Sequence, residues 1–349
     1  MRTIITTTGT SLISNYRNSL GATGKSMPTL QEILGYLREV SPEQASAETN
    51  SLSRLLQEGD EIVFLHSETD DGRLCAEALS EFYKSKGYRC MVKEISNLRY
   101  GAQQFKNKGL RSLVAEMAQI VRERKRQKHE VLINATGGFK VESAYAVLIG
   151  ILFQAPVYYV HERFEDIIAL PPIPVSWDYS LMVDHEDFFE WIHADLRSTH
   201  EATSRLQSIP DSVRMLLTEE DGYLMLSPAG EALWEAYRSL LSLPGQTVYW
   251  SDRARRYYEN LDPETQRSFD RLINRLSRPG LRPESNIERM RNSDCLVYPR
   301  GKKPERIIFY EQDDKIYICE LARHSDQSYE RLLNKNINSG NYSDFEQKI

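Results

Sequence analysis

Two short segments carry the residue types that hold a phosphate. Thr7-Thr8-Gly9-Thr10-Ser11 follows the apolar pair Ile4-Ile5, and Asn134-Ala135-Thr136-Gly137-Gly138-Phe139-Lys140 follows Val131-Leu132-Ile133. Glycines let backbone N–H groups approach an anion closely, and a helix that starts just beyond them turns its positive end to the same place. Lys140 adds a point charge. Neither segment is a Walker A loop or a GxGxxG fingerprint. The competing interpretation makes Gly137-Gly138 a tight strand-to-helix turn and nothing more. A second feature is a basic strip. From Arg289 to Arg306 there are six basic and two acidic side chains. In a chain of formal net charge -6 this is a candidate polyanion site, against the alternative of a solvated charged face.

The elements that must position these residues follow from the pattern. From the start to about residue 170, short apolar runs alternate with amphipathic stretches. Strands are expected at Ile4-Ile5, at 61–67, in YRCMVKEI and before Asn134; helices are expected in TLQEILGYLREV, in LCAEALSEFYKSKG closed by Gly87, in GLRSLVAEMAQIVRERKRQK and in FKVESAYAVLIGILFQ. PVYYVHE and DIIALPP form a closing strand pair. Such alternation predicts a mostly parallel sheet with helices on both faces, an α/β Rossmann-like domain. Ligands in such sheets sit at the carboxyl ends of strands, near the point where strand order reverses. Both glycine segments fall there.

Proline-rich PPIPVSW, 171–177, is a boundary. Beyond it come a helical stretch near His185 to Gln207, a hairpin turning at Glu220-Asp221-Gly222, and a helix starting at Ser227-Pro228. This order resembles a winged helix-turn-helix. Four basic residues (Arg197, Arg205, Arg214, Arg238) amid many acids make a coupler between neighbouring domains the preferred role, and DNA binding the disfavoured one. The last block opens with a helical start in QTVYWSDRARRYYENL. A helix over Asp262 to Gly280 follows, capped by Asp262 and stopped by Pro279-Gly280. Then come a hairpin RIIFYEQDDKIYICEL and a final SYERLLNKN helix: a small α+β domain with an antiparallel sheet. The domains expected are therefore 1–173, 174–242 and 243–349. The last region carries 19 lysines and arginines against 17 acids, and the remainder 25 against 33.

Composition, 40% hydrophobic and 27% charged, is that of a soluble globular protein. No apolar run reaches the ~18 residues of a membrane span. The start lacks the long apolar stretch of a signal peptide. The four cysteines (Cys75, Cys90, Cys295, Cys319) are scattered and include no Cys-x-x-Cys, so reduced thiols in a cytoplasmic protein and no metal site are expected.

The pairing of a TTGTSL-type loop with a TGGFK-type loop, over roughly Met1 to Pro172, resembles the CRISPR-associated Rossmann-fold (CARF) sensors. The resemblance implies a homodimer that binds one cyclic oligoadenylate across its twofold axis, with four adenylates the expected ring size. It makes Thr10, Ser11, Asn134, Thr136, Gly137, Gly138 and Lys140 the ligand candidates, with loops at Ser67 to Thr69 and Asn97 to Arg99 as further lining. Some CARF proteins carry a ribonuclease with an Arg-x4–6-His motif. Arg124 and His129 have that spacing, but they lie within the sensor just before a strand.

The block from about Leu243 to Lys335 resembles the RelE family of toxin ribonucleases. It has a basic strand, an Arg-apolar-apolar-aromatic strand, an acidic turn, a further strand and a basic-to-Tyr tail. Such enzymes cut RNA without metal: the 2′-OH attacks the adjacent phosphate, and basic groups hold the strand and stabilise the developing charge. The resemblance implies that Arg306 stabilises the transition state, that Arg323 and His324 supply the second basic position with His324 a general acid or base, and that Tyr329 orients or stacks on the substrate. Family members often have two lysines on the preceding strand. Here Val297 and Pro299 occupy those places, with Arg300, Lys302 and Lys303 nearby as substitutes.

The three-part order resembles the CRISPR-associated mRNA interferases. It implies a type III CRISPR–Cas accessory effector: a ribosome-dependent, metal-independent mRNA endonuclease with no cofactor, activated by cyclic tetra-adenylate. Ribosome and mRNA are the implied partners. The polar tail NKNINSGNYSDFEQKI or the middle domain is expected to recruit the ribosome, since the near-neutral effector domain would hold RNA weakly by charge alone. The alternative is a ligand-controlled winged-helix transcription regulator with a catalytically degenerate RelE-like domain.

Overall fold

The structure is a computed structural model, and it describes residues 1–21, 27–101, 106–160, 166–173, 175, 177–282, 284–290, 292–300, 304–324, 332 and 337–348. Contacts divide the chain into two compact units: Met1–Trp177 with His185–Ala236, and Asp178–Asp184 with Tyr237–Ile349. The segment expected as a separate middle domain is thus shared between the two.

The first unit begins with β1 (Arg2–Thr8), α1 (Ser11–Ser19), α2 (Leu30–Glu39), α3 (Pro42–Ala45), α4 (Ala47–Leu55), β2 (Glu61–Ser67), α5 (Asp70–Ser85) and β3 (Arg89–Ile95). It continues through α6 (Lys108–Arg126), β4 (Glu130–Asn134), α7 (Lys140–Leu152), β5 (Val157–Val160) and β6 (Ile167–Leu170). The six strands form one sheet in the order β3-β2-β1-β4-β5-β6, parallel except for the final β5–β6 pair. This is the expected Rossmann-like α/β arrangement. The central strands are buried on both faces, which is why β1 and β2 read as unbroken runs with little alternation. Ile4, Ile62, Phe64 and Leu132 pack with Leu12, Ile33, Leu52 and Leu79 in one core. The strand order reverses between β1 and β4, so the loops that follow these two strands emerge side by side.

The same unit contains α9 (Glu186–Ala194), β7 (Arg197–Ser198), α10 (Thr199–Leu206), α11 (Asp211–Arg214), β8 (Leu217–Glu220), β9 (Tyr223–Leu226) and most of α12 (Pro228–Leu241); the short α8 (Ser180–Asp184) belongs to the other unit. The hairpin turns where expected, with Asp221 and Gly222 both at positive φ, the geometry of a tight two-residue turn. The helical stretch expected near His185 to Gln207 consists of two helices, α9 and α10, separated by the short β7. Ser198 caps α10 by accepting from the Glu201 N–H (3.2 Å), and Arg197–Ser198 pairs with β9 instead. A serine side chain offers the backbone an alternative to continued helix.

The second unit has β10 (Thr247–Ser251), α13 (Asp252–Glu259), α14 (Pro263–Leu276), β11 (Glu288–Arg289), β12 (Leu296–Tyr298), β13 (Glu305–Gln312), β14 (Lys315–Arg323) and β15 (Phe345–Gln347). Asp262 caps α14 as expected, accepting from the N–H groups of Glu264 and Thr265 (both 3.0 Å). The expected hairpin is β13–β14, turning on Asp313 and Asp314, both at positive φ. Two expectations change. The region does not open on a helix: Thr247–Ser251, rich in β-branched and aromatic residues, is a strand paired parallel to β14. The sheet, in the order β11-β12-β13-β14-β10-β15, is therefore mixed and not purely antiparallel. The polar tail also contributes structure. Its β15 pairs with β10, and Ile337 is buried against Ile308 and Cys319. The expected SYERLLNKN helix lies almost wholly outside the described residues. No helix among the described residues is long and apolar enough to cross a membrane.

Candidate ligand-binding site

The two glycine loops meet at the switch point. A Cβ placed on Gly9 would lie 2.8 Å from the Gly138 nitrogen. One placed on Gly137 would lie 2.5 Å from the Thr7 carbonyl oxygen. Only glycine allows that approach, and Gly138 additionally has φ +84°. The Thr7 hydroxyl donates to the Gly137 carbonyl at 2.6 Å, tying the loops directly.

Two buried carboxylates lie behind the loops. Glu48, on α4, accepts from the Gly9 N–H (2.8 Å) and the Ser11 hydroxyl (3.4 Å). Glu142 lies in the first turn of α7. It accepts from the Phe139 N–H (3.2 Å) and from the Tyr100 hydroxyl (2.8 Å). Burial pushes the Glu142 carboxyl up to about 7, against the hydrogen bonds from Tyr100 and Phe139, and the nearby Glu48 adds to the rise. Burial likewise raises the Tyr100 phenol, with Glu142 beside it. The Tyr100 and Phe139 rings are 3.9 Å apart, and Phe139 is 51% exposed. Glu68 links the other two expected lining loops, accepting from the Asn97 N–H (2.7 Å) and the Arg99 guanidinium (2.6 Å).

The expected ligand residues separate into two sets. Asn134 is fully buried; its amide donates to Ser51 (2.8 Å) and its carbonyl accepts from the Thr136 hydroxyl (2.8 Å). Thr136 in turn accepts from the Val160 N–H (3.1 Å). These two side chains brace the end of β4. Gly137 is buried beneath the loop. Thr10 and Ser11 are half-buried, while Gly138 and Lys140 are exposed. Lys140 has no hydrogen bond or ion pair among the described residues. The outward-facing set is what a ligand phosphate could touch: N–H groups at the start of α7 and a free ammonium. Glu48, Glu142 and Tyr100 did not emerge from the sequence. Glu142, three residues after the Phe139 cap, carried a local signal in its capping position. Glu48 carried none, because only the fold brings α4 under the loops.

Other sequence candidates resolve as follows. Arg124 makes a two-pronged ion pair with Glu61 (2.7 and 2.9 Å), and His129 Nδ1 lies 2.9 Å from the Thr3 hydroxyl; both fasten strand ends. A His193–Glu231–Glu235 cluster has metal-like spacing. Arg111 and Arg122 are already ion-paired to its two carboxylates, which opposes a cation there.

In the second unit, Arg306 is the second residue of β13 and is 3% exposed, with Nη1 donating to the Glu305 carbonyl (2.8 Å). The register pairs Arg306 with Ala322 and Glu305 with Arg323. Directly opposed residues share a face, so Arg306 and Arg323 lie at one end of the sheet but on opposite faces. Arg323 is 3.9 Å from the Glu305 carboxylate and reaches Thr265 of α14 (3.4 Å). Val297 is paired with Ile308 on the Arg306 face and is buried. The backbone N–H of His324 donates to the Pro304 carbonyl (2.8 Å). Arg300 is exposed, its backbone N–H donating to Asn286 (2.8 Å). Lys302, Lys303 and Tyr329 lie outside the described residues.

Two solved structures are similar to the chain. One is Can2 from Sulfobacillus thermosulfidooxidans in complex with cyclic tetra-adenylate: 9% identity, TM-score 0.24, covering 91% of this chain and 78% of that one. The other is protein VC1899 from Vibrio cholerae: 9% identity, TM-score 0.28, covering 96% and 86%. Residues 43–173 match the family described as CRISPR-associated protein (Cas_APE2256). Over that stretch, which holds β2 to β6 and the Gly137-Gly138 loop, the chain is similar to this CRISPR-associated family.

Proposed function

We propose that the chain is an accessory effector of a type III CRISPR–Cas system, controlled by a cyclic oligoadenylate bound at the β1/β4 switch point. The observation that carries this is the contact of the two glycine loops, Gly9 against Gly138, beside the free ammonium of Lys140. Backbone N–H groups at the start of α7 would receive phosphate, and the exposed Phe139 ring offers a stacking face to adenine. The match over 43–173 supports the CRISPR setting. Cyclic tetra-adenylate is the proposed ligand, held between two copies of the chain.

For the output we keep a RelE-type, ribosome-dependent mRNA endonuclease, with the 174–242 segment a winged-helix coupler. The order of elements in the second unit, with two helices between a strand parallel to β14 and the β13–β14 hairpin, supports the RelE-type reading. A second reading also has an observation in its favour. Arg306 is buried and Arg323 lies on the other face, as a degenerate effector in a ligand-controlled transcription regulator would permit.

One experiment separates them. The protein is incubated with translating ribosomes, with and without cyclic tetra-adenylate, and mRNA ends are mapped. The endonuclease reading expects ligand-dependent cuts leaving 2′,3′-cyclic phosphate and 5′-hydroxyl ends, lost in Arg306→Ala. Absence of such cuts, together with ligand-dependent DNA binding, establishes the regulator.

A further inference from the structure

The first turn of α7 already carries a carboxylate of its own. Glu142 is 2% exposed, and a Cβ on Gly138 would run into its Oε2. It accepts from the Phe139 N–H (3.2 Å) and the Tyr100 hydroxyl (2.8 Å). Glu48, fully buried on α4, stands against Gly137 in the same way and accepts from the Gly9 N–H (2.8 Å). Neither carboxylate has an ion pair to a cation among the described residues.

Two buried carboxyl groups without a counterion therefore lie under the loops that would take a phosphate. Glu142 makes the conflict sharpest, because as the third helical residue it occupies the anion position at the α7 N-terminus. A phosphate on the first N–H groups of α7 lies within about one helical turn, ~5 Å, of it. Like charges that close favour the neutral form of the weaker acid, and a carboxyl is a weaker acid than a phosphodiester. Burial already holds the Glu142 carboxyl at about 7, with Glu48 adding to the rise.

The other groups around it leave the conflict in place. Lys140, on α7 itself, is exposed and serves the outer side of the loop. Arg99 is held by Glu68 (2.6 Å), and His66, near the end of β2, has Nδ1 2.8 Å from the Ser67 carbonyl oxygen. Burial and Glu142 itself push the Tyr100 phenol up, so it stays a neutral donor.

From this geometry we infer that the cyclic oligoadenylate binds together with one proton: Glu142 is neutral in the complex and free to ionise once the ligand leaves. The inference rests on the ligand site proposed above. The proton comes from solvent on binding and returns to it on release. Affinity is then constant at low pH and falls as pH rises through about 7, by at most ~10-fold per pH unit for a single proton.

The test is calorimetry. Cyclic tetra-adenylate is titrated into the full chain at about pH 6, 7.5 and 8.5, each in two buffers of different ionisation enthalpy. Neither a phosphodiester nor adenine changes protonation over that range, so the difference in heat between buffers counts protons taken up by the protein. Uptake should be small at the lowest pH and approach one proton at the highest. Affinity should fall up to ~10-fold between the two higher values. Glu142→Gln keeps an acceptor oxygen in nearly the same shape, and should bind without uptake and with an affinity flat in pH. Tyr100→Phe removes a hydrogen bond that holds the carboxyl down, so its decline should begin at higher pH. That variant decides the matter if Glu142→Gln does not fold, and an unchanged profile in it overturns the inference. Binding by the parent without proton uptake, or uptake undiminished in Glu142→Gln, overturns the inference and leaves the ligand site standing. No binding of cyclic tetra-adenylate at any pH overturns the ligand site, and the proton linkage with it.

Discussion

The two sheets treat their polar residues in opposite ways. In the first unit, parallel strands deliver their loops to one edge, and Gly9, Gly138, Ser11 and Lys140 converge although they are more than a hundred residues apart. In the second, Arg306 and Arg323 are closer in sequence and sit at the same strand end, yet the two-residue period of the ladder sends them to opposite faces. A loop at a strand end can gather any residue it contains. A residue within a strand can act only on the side its parity dictates. The first site is thus assembled as it stands, whereas the second offers one arginine per face.

The sharpest way to break this contrast is at Arg306. If its face carries the chemistry, Arg306→Ala should lower ligand-stimulated cleavage by ~10²- to 10³-fold, the cost of one transition-state charge donor. Cyclic tetra-adenylate affinity, measured by calorimetry, should stay unchanged. Arg323→Ala, on the other face, should lose much less in the same end-mapping assay. If Arg323→Ala is the more damaging, the active face has been misassigned.

Next in size is Gly137→Ala. The added Cβ meets the Thr7 backbone, which cannot swing aside, so the loops must part. A loss of ~1–3 kcal/mol in urea unfolding is expected, accompanied by weaker ligand binding. Unaltered stability and affinity would show that the loops need not touch.

Lys140→Ala should reduce ligand affinity ~10-fold, in the range of a hydrogen bond to a charged group, without moving the melting temperature. Parental affinity in that variant would take Lys140 out of the site.

A further effect is with pH. The Glu142 carboxyl is raised to about 7 in the fold, so the folded state holds this proton more tightly than the unfolded chain. The stability it contributes is complete below about 4.5 and is lost as pH rises through about 7. Unfolding curves from pH 4.5 to 8 should show this decline, and Glu142→Gln should flatten it. An equal slope in both proteins would assign the dependence to another group.

Most elements of the first unit were legible because each carried its own local signal: Gly87 closes α5, the Gly137-Gly138 turn precedes α7, and short apolar runs marked β1 and β2. Thr247–Ser251 misled because aromatic residues followed by Ser-Asp-Arg resemble an approach to a helix, and pairing with β14 and β15 makes them a strand. Of the ligand candidates, the motif contained both what faces outward and what braces the loop from within. Asn134 and Thr136 have the chemistry of ligand groups, but their hydrogen bonds are spent inside the protein.

The sequence by itself determined the alternating α/β pattern of the first unit, the two glycine loops at strand ends, the Asp-Gly hairpin and the capped helix α14. Each depends on residues adjacent in the chain and on backbone preferences that act locally. The tertiary structure alone decided that Glu48 lies beneath the loops, that Arg306 and Arg323 face apart, and that three tyrosines from separate strands, Tyr249, Tyr317 and Tyr310, stack into one ladder. These follow from which strands become neighbours and in what register, and no local preference records that.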